Sequence, residues 1–174
     1  FYWATSDFDP GPGTFNLTSP ALGNGYILKL SNNGDFIRVA DLGGDSRVRC
    51  IAMKLDNSGG LCLTGHFDGA ADFDPGSGTA LLNSAIDDDD IFLGKYDLDF
   101  NLLWIKQIEG PSFQKVFDID VDAADNIYTT GHYNGTADFD PGAAEHKLIA
   151  ANDPDVFVLK LKPNGEFVWV APAT

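Results

Sequence analysis

Six aspartates in three short stretches are the residues whose type and spacing best suit them to chemistry. They are Asp7 and Asp9, Asp72 and Asp74, and Asp138 and Asp140. Each pair encloses a phenylalanine and is followed by proline and glycine. Carboxylates spaced i, i+2 are hard oxygen ligands suited to Ca²⁺, the one cofactor the chain suggests, with Asp90 and Asp155 as helpers. Two carboxylates alone do not fill the roughly six to eight oxygen positions of a Ca²⁺ shell. The same residues also make a turn without a metal: proline presets one dihedral, glycine accepts positive φ, and aspartate caps the turn. The enclosed phenylalanine then anchors the loop in apolar surface.

Other candidates carry simpler explanations. Asp118, Asp120, Asp122 and Asn126 stand at i, i+2, i+4 and i+8, as in a calcium loop. One period earlier the positions read Ala52, Lys54, Asp56 and Gly60, and Ala123 stands where such a loop needs glycine, so alternation on a polar strand face is expected. Asp87 to Asp90 reads as a solvated acidic loop. His66 and His132 each follow Thr-Gly and could serve as ligands or as acid and base, but residues at equivalent places in successive units do not converge. His146 reads as an exposed loop residue. No Ser-His-Asp order, Cys-His pairing or phosphate-cradling glycine loop is present. Trp104 and Trp169, with Phe92 and Phe157, fit core positions better than a stacking platform for sugar or base, whereas Trp3 is expected to be exposed.

Lysine and arginine number 11 against 26 aspartates and glutamates, a formal net charge of −15, which speaks against nucleic acid as a partner. Nothing resembles a signal peptide or a membrane span, so membrane insertion is not expected. The chain opens inside a repeated unit, so a targeting segment is expected to lie upstream if there is one. Pairing Leu55 with Leu61 sets Cys50 opposite His66 and Cys62 opposite Lys54, about 13 Å apart along the strands and beyond disulfide reach. Two buried free thiols are expected.

The elements that must position these residues emerge from a period. The motif aspartates Asp7, Asp72 and Asp138 recur at 65 and 66 residues. Lys29-Leu30, Lys95-Tyr96 and Lys160-Leu161 keep that phase, as do Gly44 and Gly110, Thr64-Gly65-His66 and Thr130-Gly131-His132, and Trp104 and Trp169. Within a unit the pattern is strand, turn, strand, long loop, strand, turn, strand. Val116–Val121 alternates Phe117, Ile119 and Val121 against Asp118 and Asp120. Ile127–His132 runs back, a loop of about twenty residues carries the motif, and Asp155–Leu161 and Phe167–Val170 complete the unit around the turn Pro163-Asn164-Gly165. The matching segments are Cys50–Leu55, Leu61–His66, Asp90–Tyr96 and Leu102–Lys106. The first copy keeps Tyr26–Leu30 and Phe36–Val39. Ten strands and no helix are expected.

Four antiparallel strands repeated radially make the blade of a β-propeller, and neighbouring blades must stack to bury both faces. The expected fold is therefore all-β, a partial β-propeller: a partial blade at 1–44 and full blades at 45–110 and 111–174. Fewer than three units fall short of the roughly four blades of the smallest closed ring. An open arc is expected, a fragment of a longer array or one of several chains closing a ring, with apolar faces bare at its ends.

Asn126-Ile127-Tyr128-Thr129-Thr130-Gly131, followed by Ala137-Asp138-Phe139-Asp140-Pro141-Gly142 and then Asp155-Val156-Phe157-Val158-Leu159-Lys160-Leu161, resembles the bacterial SBBP-type β-propeller repeat. The likeness runs over essentially the whole chain. Phe100 departs from it by replacing the turn glycine of Gly34 and Gly165, and so does Gly25 in the third strand of the first copy. The resemblance implies a secreted or cell-surface bacterial protein in which the propeller is a non-enzymatic scaffold or interaction module. Partners would be a protein, a glycan or further blades of the array. The alternatives are a Ca²⁺-stabilised repeat and a propeller lyase or hydrolase with its site at the central opening.

Overall fold

The computed structural model describes residues 1–19, 22–44, 46–85, 88–151 and 154–173. Asp87 of the acidic run lies outside them. Every element among the described residues is a strand or a turn, so the chain is all-β. A hairpin of β1 (Thr5–Asp7) and β2 (Asn16–Thr18) precedes an antiparallel pair, β3 (Gly25–Leu30) and β4 (Phe36–Leu42). Next come β5 (Arg47–Leu55), β6 (Leu61–Asp68), a short hairpin of β7 (Ala70–Asp72) and β8 (Leu81–Asn83), then β9 (Asp90–Tyr96) and β10 (Leu102–Ile108). The series repeats as β11 (Gln114–Val121), β12 (Ile127–Tyr133), a hairpin of β13 (Thr136–Asp138) and β14 (Lys147–Ile149), then β15 (Asp155–Leu161) and β16 (Phe167–Ala173).

The ten expected strands are present, and six more form three hairpins in the motif-bearing loops. Those loops are therefore not irregular. Two of the hairpins tie back to the preceding unit through a bridge, Gly43 to Asp72 for β7 and Glu109 to Asp138 for β13. β5, β6, β9 and β10 form one four-stranded antiparallel sheet in that order, and β11, β12, β15 and β16 form another. Their registers correspond: Leu61 pairs with Tyr96 as Ile127 pairs with Leu161.

Both first strands carry a bulge, between Cys50 and Ala52 and between Val116 and Asp118. A bulge adds one unpaired residue and re-aims the side chains beyond it. Two sequence expectations change as a result. Cys50 pairs with Gly65, not His66. Phe117 leaves the buried face of its strand and is 55% exposed, while Ile119 stays buried. Both cysteines are free, with Cys62 buried and Cys50 only partly covered.

The two four-stranded sheets share one apolar layer. Cys62, Ile91 and Leu93 from the first pack with Val116, Ile119, Ile127 and Leu159 from the second. A second layer joins Ile27, Ala40 and Leu42 to Val48, Leu63 and Phe92. Burying this surface is the main source of cohesion, at roughly 25 cal/mol per Å² of apolar area. Trp104 lies half-buried against the first layer, paired with Lys95 as Trp169 pairs with Lys160. Trp169, however, is 39% exposed instead of being core, whereas Trp104 on the matching last strand is covered by the Pro163-Asn164-Gly165 turn of the following unit. Trp3 is exposed, as expected.

Candidate functional site

Each Asp-Phe-Asp-Pro-Gly stretch leaves the first strand of a short hairpin. In the second copy Asp72 Oδ1 accepts the amides of Asp74 (3.0 Å) and Ala80 (2.8 Å), closing the loop across eight residues. Asp74 Oδ1 accepts the Gly76 amide at 2.8 Å. Asp7 and Asp9 do the same with Asp9, Phe15 and Gly11. Asp138 and Asp140 do so with Asp140, His146 and Gly142. These are local side-chain to backbone bonds of the Asx kind. The Phe15 and Asp9 amides hold the Asp7 carboxyl below its ordinary range.

The enclosed phenylalanine joins an aromatic trio that recurs three times. Phe73 stands 5.4 Å from Phe67 and 4.6 Å from Phe92. Phe139 stands 5.3 Å from Tyr133 and 4.7 Å from Phe157. Phe8 stands 5.1 Å from Tyr2 and 4.9 Å from Tyr26. Edge-on and tilted contacts at these separations are favoured between aromatic rings. The trio also explains the glycine of the Thr-Gly-His run: a Cβ on Gly65 or Gly131 would collide with the backbone of Arg49 or Lys115 and with the Phe92 or Phe157 ring.

The two helpers have different surroundings. Asp155 Oδ2 accepts the Ala151 amide at 2.8 Å. Asp90 lies at the start of β9 and shares a cavity with Asp138 of the following unit, not with Asp72. Among the described residues no three His, Cys, Asp or Glu side chains are spaced to hold one metal ion.

The Asp118 series disperses as well. Asp118 accepts the Ile119 amide, Asp120 pairs with Lys54 at 2.8 Å, and Asp122 binds the amides of Ala124 and Asn126 in its own turn. The Asn126 side chain, first among these bonds, draws the Asp122 carboxyl far below its ordinary range. A lysine from the third strand reaches each such turn: Lys95 to Asp56 at 2.5 Å and Lys160 to Asp122 at 3.6 Å. Sequence spacing alone does not show these pairs, which the ladder creates.

His66 is buried, and its Nδ1 has no hydrogen-bond partner among the described residues. Burial pushes its pKa down to about 4, with Asp89 opposing and Arg49, Lys115 and Arg47 adding to the fall. Arg47 pairs with Asp68, and Asp89 lies 3.6 Å from Arg47 and 3.7 Å from Lys115. His132 is half-buried with the Phe117 ring edge-on at 5.0 Å. His146 is exposed and tilts against Phe167 at 4.9 Å. Burial and, together with it, the Lys115 charge lower the pKa of each of the first two histidines, while Asp89 opposes the fall at His66.

A cavity of about 540 Å³ lies between the two four-stranded units. Its walls come from the ends of β8 and β10, the start of β9, and the β13–β14 hairpin. Asp90, one of its lining residues, accepts a hydrogen bond from Gln107 Nε2 at Oδ2, 2.7 Å away. The same two positions in the first unit hold Asn24 and Asp41, with amide and acid exchanged. The sequence does contain this swap, one period apart, but nothing in it says that the two positions touch. No family model matches the chain, and no curated protein matches it.

Proposed function

We propose that the chain is a run of β-propeller blades serving as a non-enzymatic scaffold or interaction module, with partners meeting the loop end of its units. The secreted or cell-surface bacterial setting rests on the SBBP-type resemblance. The observation that carries the reading is the threefold aromatic trio of Tyr2, Phe8 and Tyr26, of Phe67, Phe73 and Phe92, and of Tyr133, Phe139 and Phe157. It pins the motif loops to β3, β9 and β15, and adjacent sheets pack against one another. Radial repetition of such sheets is how a propeller protects its edges.

The test is small-angle scattering on tandem fusions of the chain with rising unit number. A propeller curves back, so the radius of gyration levels off as the ring closes. Linear growth, as in a solenoid, overturns the architecture. For the non-enzymatic part, turnover in a panel of lyase and hydrolase substrates that is abolished by His66→Gln overturns it.

A further inference from the structure

We infer that β3 is an acceptor edge for a partner β-hairpin built like β11–β12, with a glycine and a turn aspartate at set places. The inference rests on the interaction-module reading and gives it a partner, at a place other than the motif loops. β9 and β15 each pair with strands on both sides, β6 and β10 in one sheet and β12 and β16 in the other. Along Gly25–Leu30, β3 pairs with β4 alone among the described residues, and its other edge is met only by the bridge of Tyr2 to Asn24. Such an edge is a template for a further strand. Beside it runs a groove of about 520 Å³, walled by Ile27, Leu28 and Leu30 of β3 and by Met53, Leu55 and Leu61 of the next sheet.

The following junction shows what fills such a groove. There β11 lies against β5 and β6 as well as β9, and Ala52 and Cys62 pack into the shared apolar layer. Ile119 is accordingly 5% exposed, whereas Met53, its counterpart one period earlier, is 52% exposed.

The side chains of β3 specify the incoming strand. Tyr26 stands where Phe92 and Phe157 stand, and each of those pairs with a glycine, Gly65 or Gly131, whose Cβ would strike the ring. Leu28 matches Leu159, which pairs with the small Thr129, while Gly94 of the second unit pairs with the bulkier Leu63. The β12 pattern Ile127-Tyr128-Thr129-Thr130-Gly131 therefore suits β3 better than the β6 pattern. Charge points the same way. Lys95 and Lys160 pair with Asp56 and Asp122, each in the turn between the first two strands of its sheet. Lys29 holds their place in β3, makes no ion pair among the described residues and donates to the Leu98 carbonyl at 2.9 Å. A turn aspartate on the hairpin is its counterpart.

The test is fluorescence anisotropy of a labelled peptide of residues 116–131 added to the folded chain, with amide hydrogen exchange as a second reading. Saturable binding is expected, with exchange slowed along Gly25–Leu30 and unchanged in β15. Gly131→Val in the peptide should weaken binding by about tenfold or more, and Asp122→Asn severalfold. Lys29→Met in the chain should match the Asp122→Asn loss, and the two together should cost no more than either. The decisive changes lie in the peptide, so the folding of the chain does not enter. No saturable binding, equal binding of the Gly131→Val peptide, or unchanged exchange in β3 overturns the inference. Dimerisation of the chain alone, undone by Met53→Asp but not by the peptide, assigns the groove to a second copy. Saturable binding of laurate without binding of the peptide assigns it to a small apolar ligand, and either result also overturns the hairpin. Ring closure plays no part in this titration, so it can fail while the scattering test succeeds.

Discussion

Phe73, in the middle of the second Asp-Phe-Asp-Pro-Gly loop, stands 4.6 Å from Phe92 on β9, ring centre to ring centre, and both side chains are fully buried. The loop is thus fastened to the sheet through an apolar contact, with its aspartates shaping the chain around it. Phe73→Ala should cost about 3–5 kcal/mol in urea unfolding, the usual range for deleting a buried ring. Phe8→Ala should cost less, because its trio belongs to the two-stranded β3–β4 sheet and packs in a smaller cluster.

Asp72 holds two amides with one oxygen. Asp72→Ala leaves both without that acceptor and should lower stability by about 1–3 kcal/mol. The loss should be the same with millimolar Ca²⁺ as with chelator, since the oxygen in question is already satisfied by the backbone. A ligand bound only by the folded state would instead raise the thermal midpoint with its concentration. A midpoint that climbs with Ca²⁺ in the wild type but not in Asp72→Ala would return these loops to the metal reading.

The ion pairs should separate by burial. Lys95 and Asp56 meet at 2.5 Å with side chains 11% and 0% exposed. Lys95→Met should cost about 3–5 kcal/mol, since it strands a buried carboxylate. Lys54 and Asp120 also pair across neighbouring units, but both are open to water. Lys54→Ala should change unfolding little, and that little should vanish in high salt.

Two buried groups push the pH dependence of stability in opposite directions. His66 titrates near 6.5 when unfolded and near 4 in the fold, so between those values the unfolded chain holds the extra proton and stability falls as pH falls. Asp90 titrates near 3.8 when unfolded and near 6 in the fold, so the folded chain holds the extra proton and stability rises as pH falls from about 6 toward 3.8. His66→Gln should flatten the acid side of the profile and Asp90→Asn should steepen it, each by about 1–3 kcal/mol. Urea titrations between pH 4 and pH 7 check both.

The period made the strands legible, because the Asp-Phe-Asp-Pro-Gly, Thr-Gly-His and third-strand lysine markers recur in phase. It also exposed the oddity at Phe100, which takes φ +62 where Gly34 and Gly165 take +87 and +79. A bulky residue there strains the backbone by about 1–2 kcal/mol, and its buried ring offsets the cost. What the period hid was register. The bulges at Ile51 and Phe117 displace one residue each, and alternation read from sequence assumes that none is displaced. The partners of the Phe in each loop were hidden too, since Tyr2, Phe67 and Tyr133 keep the period but alternate between tyrosine and phenylalanine. Asp90 stands out in the sequence for its charge, but its contact with Gln107 emerges only from the folded sheet.

At the far end of the sheets from the loops, the turn of one unit grips the turn of the next. Asn57 and Ser58 both donate to the Asp125 carboxylate, and the Asn57 side chain also reaches the Asp122 carbonyl. One period on, the donor positions hold Ala123 and Ala124, and one period back from Asp125 stands Gly59. This clasp therefore has a handedness along the chain and belongs to one junction only. Modules that look alike are not interchangeable, and a version with its units reordered would lose the fastening even though every sheet still formed.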